Sequence, residues 1–75
     1  MNTPEIINKM YNEVNELERE AIRVNLDIEY INMWKRISLV QIKTCKRLLN
    51  NKSEFYKEFS NFNLCMSVMS RKLLI

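Results

Sequence analysis

No glycine occurs anywhere in this 75-residue chain, and Pro4 is its only proline. A β-sheet protein of this length turns tightly several times. Such hairpins need residues at positive φ, which glycine adopts freely and only asparagine could supply here. Helices joined by short loops need far fewer of these positions. The fold is therefore expected to be all-α.

Length and composition narrow this further. Seventy-five residues make a single helical domain, 1–75, near the lower limit of what one apolar core holds together. Hydrophobic residues are 47% of the chain, enough for a core and too many for a disordered tail. The interior of so small a bundle is limited, so part of this apolar surface is expected to meet a partner or a second copy. No stretch approaches the ~20 apolar residues of a membrane span, and no membrane partner is expected. The opening Met-Asn-Thr-Pro-Glu lacks the basic and apolar regions of a secretory signal. Cys45 and Cys65 are too few for a disulfide scaffold and read as reduced thiols, which places the protein in the cytoplasm. Abundant Asn, Ile and Lys suggest an AT-rich genome, such as that of a phage, a virus or a low-GC bacterium. For a phage protein the compartment would be the host cytoplasm.

Local signals divide the chain. Thr3, Pro4 and Glu5 form a helix start: a hydroxyl to accept an orphan N–H, a proline at the first helical position, and an acid at the positive end of the dipole. From there Ile7, Met10, Val14, Leu17, Ala21, Val24, Ile28 and Ile31 recur at alternating spacings of three and four, a seam for lengthwise helix packing. The seam alone would allow one rod through residue 49. Arg19 and Arg23 suit a helix end, however, Asn25 a left-handed exit, and Asp27 a new cap. A break near residues 24–27 is therefore favoured. Asn50-Asn51-Lys52-Ser53 reads as the second break, with Ser53 capping a third helix. That helix carries its own seam of Phe55, Phe59, Phe62, Met66, Met69 and Leu73. Helices are expected over about 3–24, 27–50 and 53–74, as a three-helix bundle. The alternative is a helical hairpin with one long helix that dimerises as a coiled-coil-like bundle.

Charge singles out the middle helix. Residues 1–29 carry −4, residues 30–53 carry +6 and residues 54–75 carry +1, giving the +3 of the whole chain. Between Tyr30 and Ser53 no side chain is acidic. Lys35, Arg36, Lys43, Lys46 and Arg47 fall within about 120° of helical circumference. The rest of that circumference is largely apolar, an arc wide enough to touch more than one neighbouring element. The basic stripe is expected to be the side left in water, with the acids of helix 1 available to meet some of it.

Catalysis is not expected. The chain has no histidine to act as a general base near neutral pH and no glycine-rich loop to hold a phosphate. Two cysteines twenty residues apart, without histidine, do not make a tetrahedral metal site. Glu13, Glu16 and Glu20 share one helix face, but such clusters are normally solvated surface. No catalytic residue, metal ligand or cofactor is assigned.

The sequence points instead to a small non-enzymatic interaction protein, a regulator, inhibitor or adaptor of phage or mobile-element type, that also forms homo-oligomers. Its expected partner is a protein with an acidic surface. In that picture the stripe of Lys35, Arg36, Lys43, Lys46 and Arg47 is the binding surface. Arg36, Lys43 and Arg47 steer and orient the partner, and Trp34 or the helix 3 ridge with Met66 and Met69 supplies buried contact. The second candidate is a small dimeric nucleic-acid-binding protein using the same basic stripe. No short recognition helix follows a tight turn, and the aromatics do not interleave with the cations, which weighs against it.

Overall fold

A computed structural model describes residues 3–74, with the side chains of Thr3 and Pro4 outside that description. The capping role expected of Thr3 and Pro4, and the terminal Ile75, therefore lie outside it. Three helices follow one another: α1 (Thr3–Arg23), α2 (Ile28–Arg47) and α3 (Lys52–Leu73). No strand occurs among the described residues. The molecule measures 39 × 18 × 17 Å, and a 20-residue helix is about 30 Å long. The helices thus run side by side along the long axis, up, down and up. The three-helix bundle is the architecture, and the hairpin with a continuous first rod is not.

The chemistry of the first turn explains why the rod breaks. Asn25 takes φ 60°, the left-handed conformation that asparagine tolerates better than most residues. Its N–H donates to the Ile22 carbonyl at 3.1 Å, and the Leu26 N–H donates to the Ala21 carbonyl at 3.0 Å. This pair of bonds is the Schellman closure of a helix C-terminus. Leu26 then packs against the core. Asp27 opens α2, its carboxylate accepting from the Glu29 N–H at 3.4 Å, while Glu29 sits at the positive end of the helix dipole. Val24 and Ile28, which would extend the α1 seam in a continuous rod, are exposed instead.

The second turn departs from expectation by two residues. Asn51, not Ser53, caps α3: its side-chain oxygen accepts from the Glu54 N–H at 3.2 Å. Ser53 lies in the first helical turn and is exposed. Both residue types cap helices well. Starting at Asn51 puts the cap three residues before Glu54, so the oxygen meets an orphan donor and the acid lies in the first turn.

All three helices contribute to one core. α1 supplies Ile7, Met10, Val14 and Ala21; α2 supplies Ile31, Trp34, Ile42 and Cys45; α3 supplies Phe55, Phe62, Met66 and Met69. These are the seam positions of α1 and α3, and each fully buried large side chain contributes about 1.5–3 kcal/mol. Leu17, Phe59 and Leu73 complete the seams as half-buried neighbours. Phe55 and Phe59 stack with ring centroids 5.8 Å apart, packing the end of the bundle where α3 begins.

The left-handed turn yields the first prediction. Asn25→Gly should leave stability unchanged or raise it slightly, whereas Asn25→Val should cost about 1–2 kcal/mol. Urea denaturation of both variants checks this. Equal effects would mean residue 25 does not carry the turn.

Candidate interaction surface

The rotation of α2 about its own axis decides which side chains reach the surface, and polar contacts fix that rotation. The Trp34 indole N–H donates to the Cys65 carbonyl at 3.1 Å. The Ser38 hydroxyl donates to the Trp34 carbonyl at 2.8 Å and lies 3.4 Å from the Cys65 sulfur. One turn beyond, the Lys72 ammonium lies 4.2 Å from the centre of the Tyr30 ring, a cation–π contact. These contacts turn one side of α2 toward α3. About 100° round the helix from Trp34, the Lys35 ammonium meets the Glu18 carboxylate of α1 at 3.0 Å.

The sequence-derived site residues are thereby divided. Trp34, Met66 and Met69 are 3%, 3% and 0% exposed, so they are core residues with no surface to offer a partner. Lys35 is half-buried by its ion pair. Lys46 is exposed at the α1 border, beside Ile7, Tyr11 and Leu49. Arg36, Lys43 and Arg47 are exposed on the outer face, so only these three of the five cations share open solvent as a group.

A second row, part of the wide apolar arc of α2, lies beside those three cations. Met33, Ile37 and Val40 of α2 are 52%, 46% and 57% exposed. With Met33 at zero on a 100° wheel, Ile37, Val40 and Thr44 fall within about 40° of it. Arg36, Lys43 and Arg47 lie along one flank, at about 280–320°. The buried Trp34, Ser38, Ile31, Ile42 and Cys45 occupy about 100–180°. The signal was present as a spacing of four, three and four from Met33 to Thr44, a second seam on the same helix. On a helical wheel it belongs to a single wide apolar arc, because sequence cannot say where two neighbours stop covering it.

The row continues onto α3. The Ser38–Cys65 and Tyr30–Lys72 contacts set the antiparallel register, so Ile37 stands level with Cys65. On the α3 wheel Val68, 50% exposed, lies about 60° from Cys65, and Leu64, 66% exposed, lies about 100° from it in the same direction, on the outer face of the helix. Two helices packed side by side leave a shallow channel between their outer faces, and on a helical wheel Ile37 and Val68 fall nearest to it, with Met33, Val40 and Leu64 farther out. Gln41 sits on the channel side of α2, and its side-chain oxygen is buried without a hydrogen-bond partner.

The α1–α3 side is different in kind. A cleft of about 420 Å³ there is lined by Glu13, Asn63, Met66, Ser67, Ser70, Arg71 and Leu74, and Glu13 also borders a smaller apolar hollow of about 300 Å³. Partial burial, then the neighbouring Glu16, push the Glu13 carboxyl above its ordinary range. Glu20 is held below that range chiefly by its hydrogen bond from Arg23. Among the described residues, no three His, Cys, Asp or Glu side chains converge as metal ligands would, and no helix is long and apolar enough to cross a membrane.

Searches against protein families, curated proteins and solved structures found nothing that matches this chain.

Cys45, at 0% exposure on the buried arc of α2, has a titration that can be followed. Burial, reinforced by the Glu58 carboxylate, pushes its thiol up to about 11, against about 8.5 for a free cysteine. The folded value lies above the unfolded one, so this contribution is complete below about pH 8.5 and is lost as pH rises toward the folded value. Wild type should therefore lose urea resistance between about pH 9 and 11 more steeply than Cys45→Ala, narrowing the gap between them. Parallel pH curves would place the thiol in contact with water.

Proposed function

We propose that this protein is a non-enzymatic interaction module that binds another protein through the outer face of α2 and the adjoining edge of α3. It would act as a small regulator, inhibitor or adaptor. The observation that carries this is the exposed row of Met33, Ile37 and Val40 on α2, continued by Leu64 and Val68 on α3, beside Arg36, Lys43 and Arg47. Scattered exposed apolar residues are ordinary on protein surfaces. Five of them at about half exposure in one channel, bordered by like charges, match the makeup of a docking face.

The cations have a separate role in this reading. Exposed ion pairs contribute only about 0.2–1 kcal/mol each, so Arg36, Lys43 and Arg47 orient and attract an acidic surface while the apolar row supplies contact. Those three cations are also what favours the second candidate, binding to nucleic acid. Against it, Trp34, Phe55 and Phe62 are core side chains, and the exposed Tyr56 lies on the side of α3 away from α2, so no aromatic row beside the cations offers a stacking platform to single strands.

Affinity capture from nuclease-treated extract separates the two. A protein partner should be retained after nuclease treatment, lost with Val40→Asp, and weakened with the double variant Arg36→Glu, Lys43→Glu. Both variants should keep the wild-type circular dichroism, since their side chains lie outside the core. Capture abolished by nuclease, with affinity falling log-linearly with salt, would instead favour phosphate binding.

A further inference from the structure

We infer that the occupant of the α2–α3 channel is an acidic amphipathic helix of a different protein, lying lengthwise between the two helices and completing a four-helix assembly. This rests on the function proposed above and specifies its partner. Three properties of the channel lead to it.

The first is periodicity. Met33, Ile37, Val40 and Thr44 repeat at four, three and four, and Leu64 and Val68 at four, along helices that pack antiparallel. A surface with this repeat is complemented by a helix whose own apolar residues recur every three or four positions. The row from Met33 to Thr44 extends about 16 Å along the axis, three turns of such a helix. A flat strand or an irregular loop would meet these ridges out of step.

The second is charge. Arg36, Lys43 and Arg47 border the α2 rim, and Lys72, over the Tyr30 ring, adds a cation where α3 meets α2. The acids on that side of α3, Glu54 and Glu58, lie in its first two turns, with Glu58 near the buried Cys45. Arg36 and Lys43 are seven residues apart, so they recur at one heptad position, where flanking carboxylates of a packed helix would stand. Glu29 lies at one end of the α2 rim and does not interrupt the cations.

The third is that a second copy fits poorly. Pair two α2 faces antiparallel about a point between Ile37 and Val40. Arg36 then falls within about 3 Å, along the axis, of the other copy's Lys43, and symmetry makes this like-charge contact twice. A parallel pairing puts no acid opposite Arg36 or Lys43. The acidic helix of this chain, α1, exposes only Ile22 among its described large apolar residues, so it cannot act as the docking helix of a second molecule.

The test uses the full chain and three labelled synthetic peptides of about 18 residues, five helical turns. One has leucine at four-three spacing flanked by glutamate. One replaces each glutamate with lysine. One keeps the acidic composition but shuffles the leucines off the helical spacing. Fluorescence anisotropy should show binding of the first, with the other two at least tenfold weaker. Ile37→Asp and Val68→Asp should each reduce binding of the first at least tenfold while leaving the thermal midpoint and circular dichroism at wild-type values. Equal binding of the acidic and shuffled peptides, no binding of the acidic peptide, or wild-type affinity in Ile37→Asp would overturn the inference. So would light scattering that finds a dimer which Ile37→Asp converts to monomer, because a second copy would then cover the channel. A cellular protein captured in an Ile37-dependent manner, with no peptide binding, would remove the helix and leave the proposed function standing. Capture insensitive to Ile37→Asp would remove both.

Discussion

The indole N–H of Trp34, bonded to the Cys65 carbonyl, sets the arrangement on which the surface of this protein depends. Apolar packing between helices tolerates small rotations, because one branched side chain can replace another against the same neighbour. A buried polar donor does not, since leaving it unpaired costs about 1–3 kcal/mol. Ser38 reinforces the same rotation by bonding back to the Trp34 carbonyl while touching the Cys65 sulfur. α2 therefore has one preferred rotation toward α3. That rotation buries Trp34, Ser38 and Cys45 and leaves Met33, Ile37 and Val40 outside. The apolar row is exposed because α2 carries more apolar circumference than two neighbours can cover.

Electrostatics within the chain leaves the same face unbalanced. The opposite charges of α1 and α2 suggested acid lying against base, and the structure makes this contact in part. Glu18 meets Lys35 across the α1–α2 border, while Glu20 pairs with Arg23 inside its own helix. Among the described residues, no acidic side chain forms an ion pair with Arg36, Lys43 or Arg47. Their fields add over one side of the bundle, and such a potential raises encounter rates with an oppositely charged surface.

How much was legible in the sequence follows from how local each signal is. The exit at Asn25 and the cap at Asp27 were readable because both depend on a few adjacent residues and their backbone preferences. The cap of α3 was assigned to Ser53 and is Asn51. Two good capping residues stand two apart there, and only the bond to the Glu54 N–H distinguishes them. The seams of α1 and α3 gave the core directly, since each of those helices has one apolar face. α2 has two, and a helical wheel orders residues around a helix without saying which arc meets which neighbour. Trp34 was assigned to a partner surface for that reason. Met66 and Met69 lie on the α3 seam and belong to the core that the seam predicts, while Ile37 and Val68 counted only as general apolar surface.

The size of the exposed row also bears on what kind of complex it can support. Completing the burial of a half-exposed large apolar side chain contributes about 1 kcal/mol, so five contribute about 5 kcal/mol. Association costs about 4–15 kcal/mol in lost translational and rotational freedom. The channel alone therefore lies near the threshold of stable binding. A partner helix seated there must add contacts of its own, or carboxylates placed close enough to the three cations to bond them directly. In the proposed complex, a surface so balanced would hold a matched partner and release a mismatched one, because losing either the apolar register or the charge complement would leave the cost of association unmet.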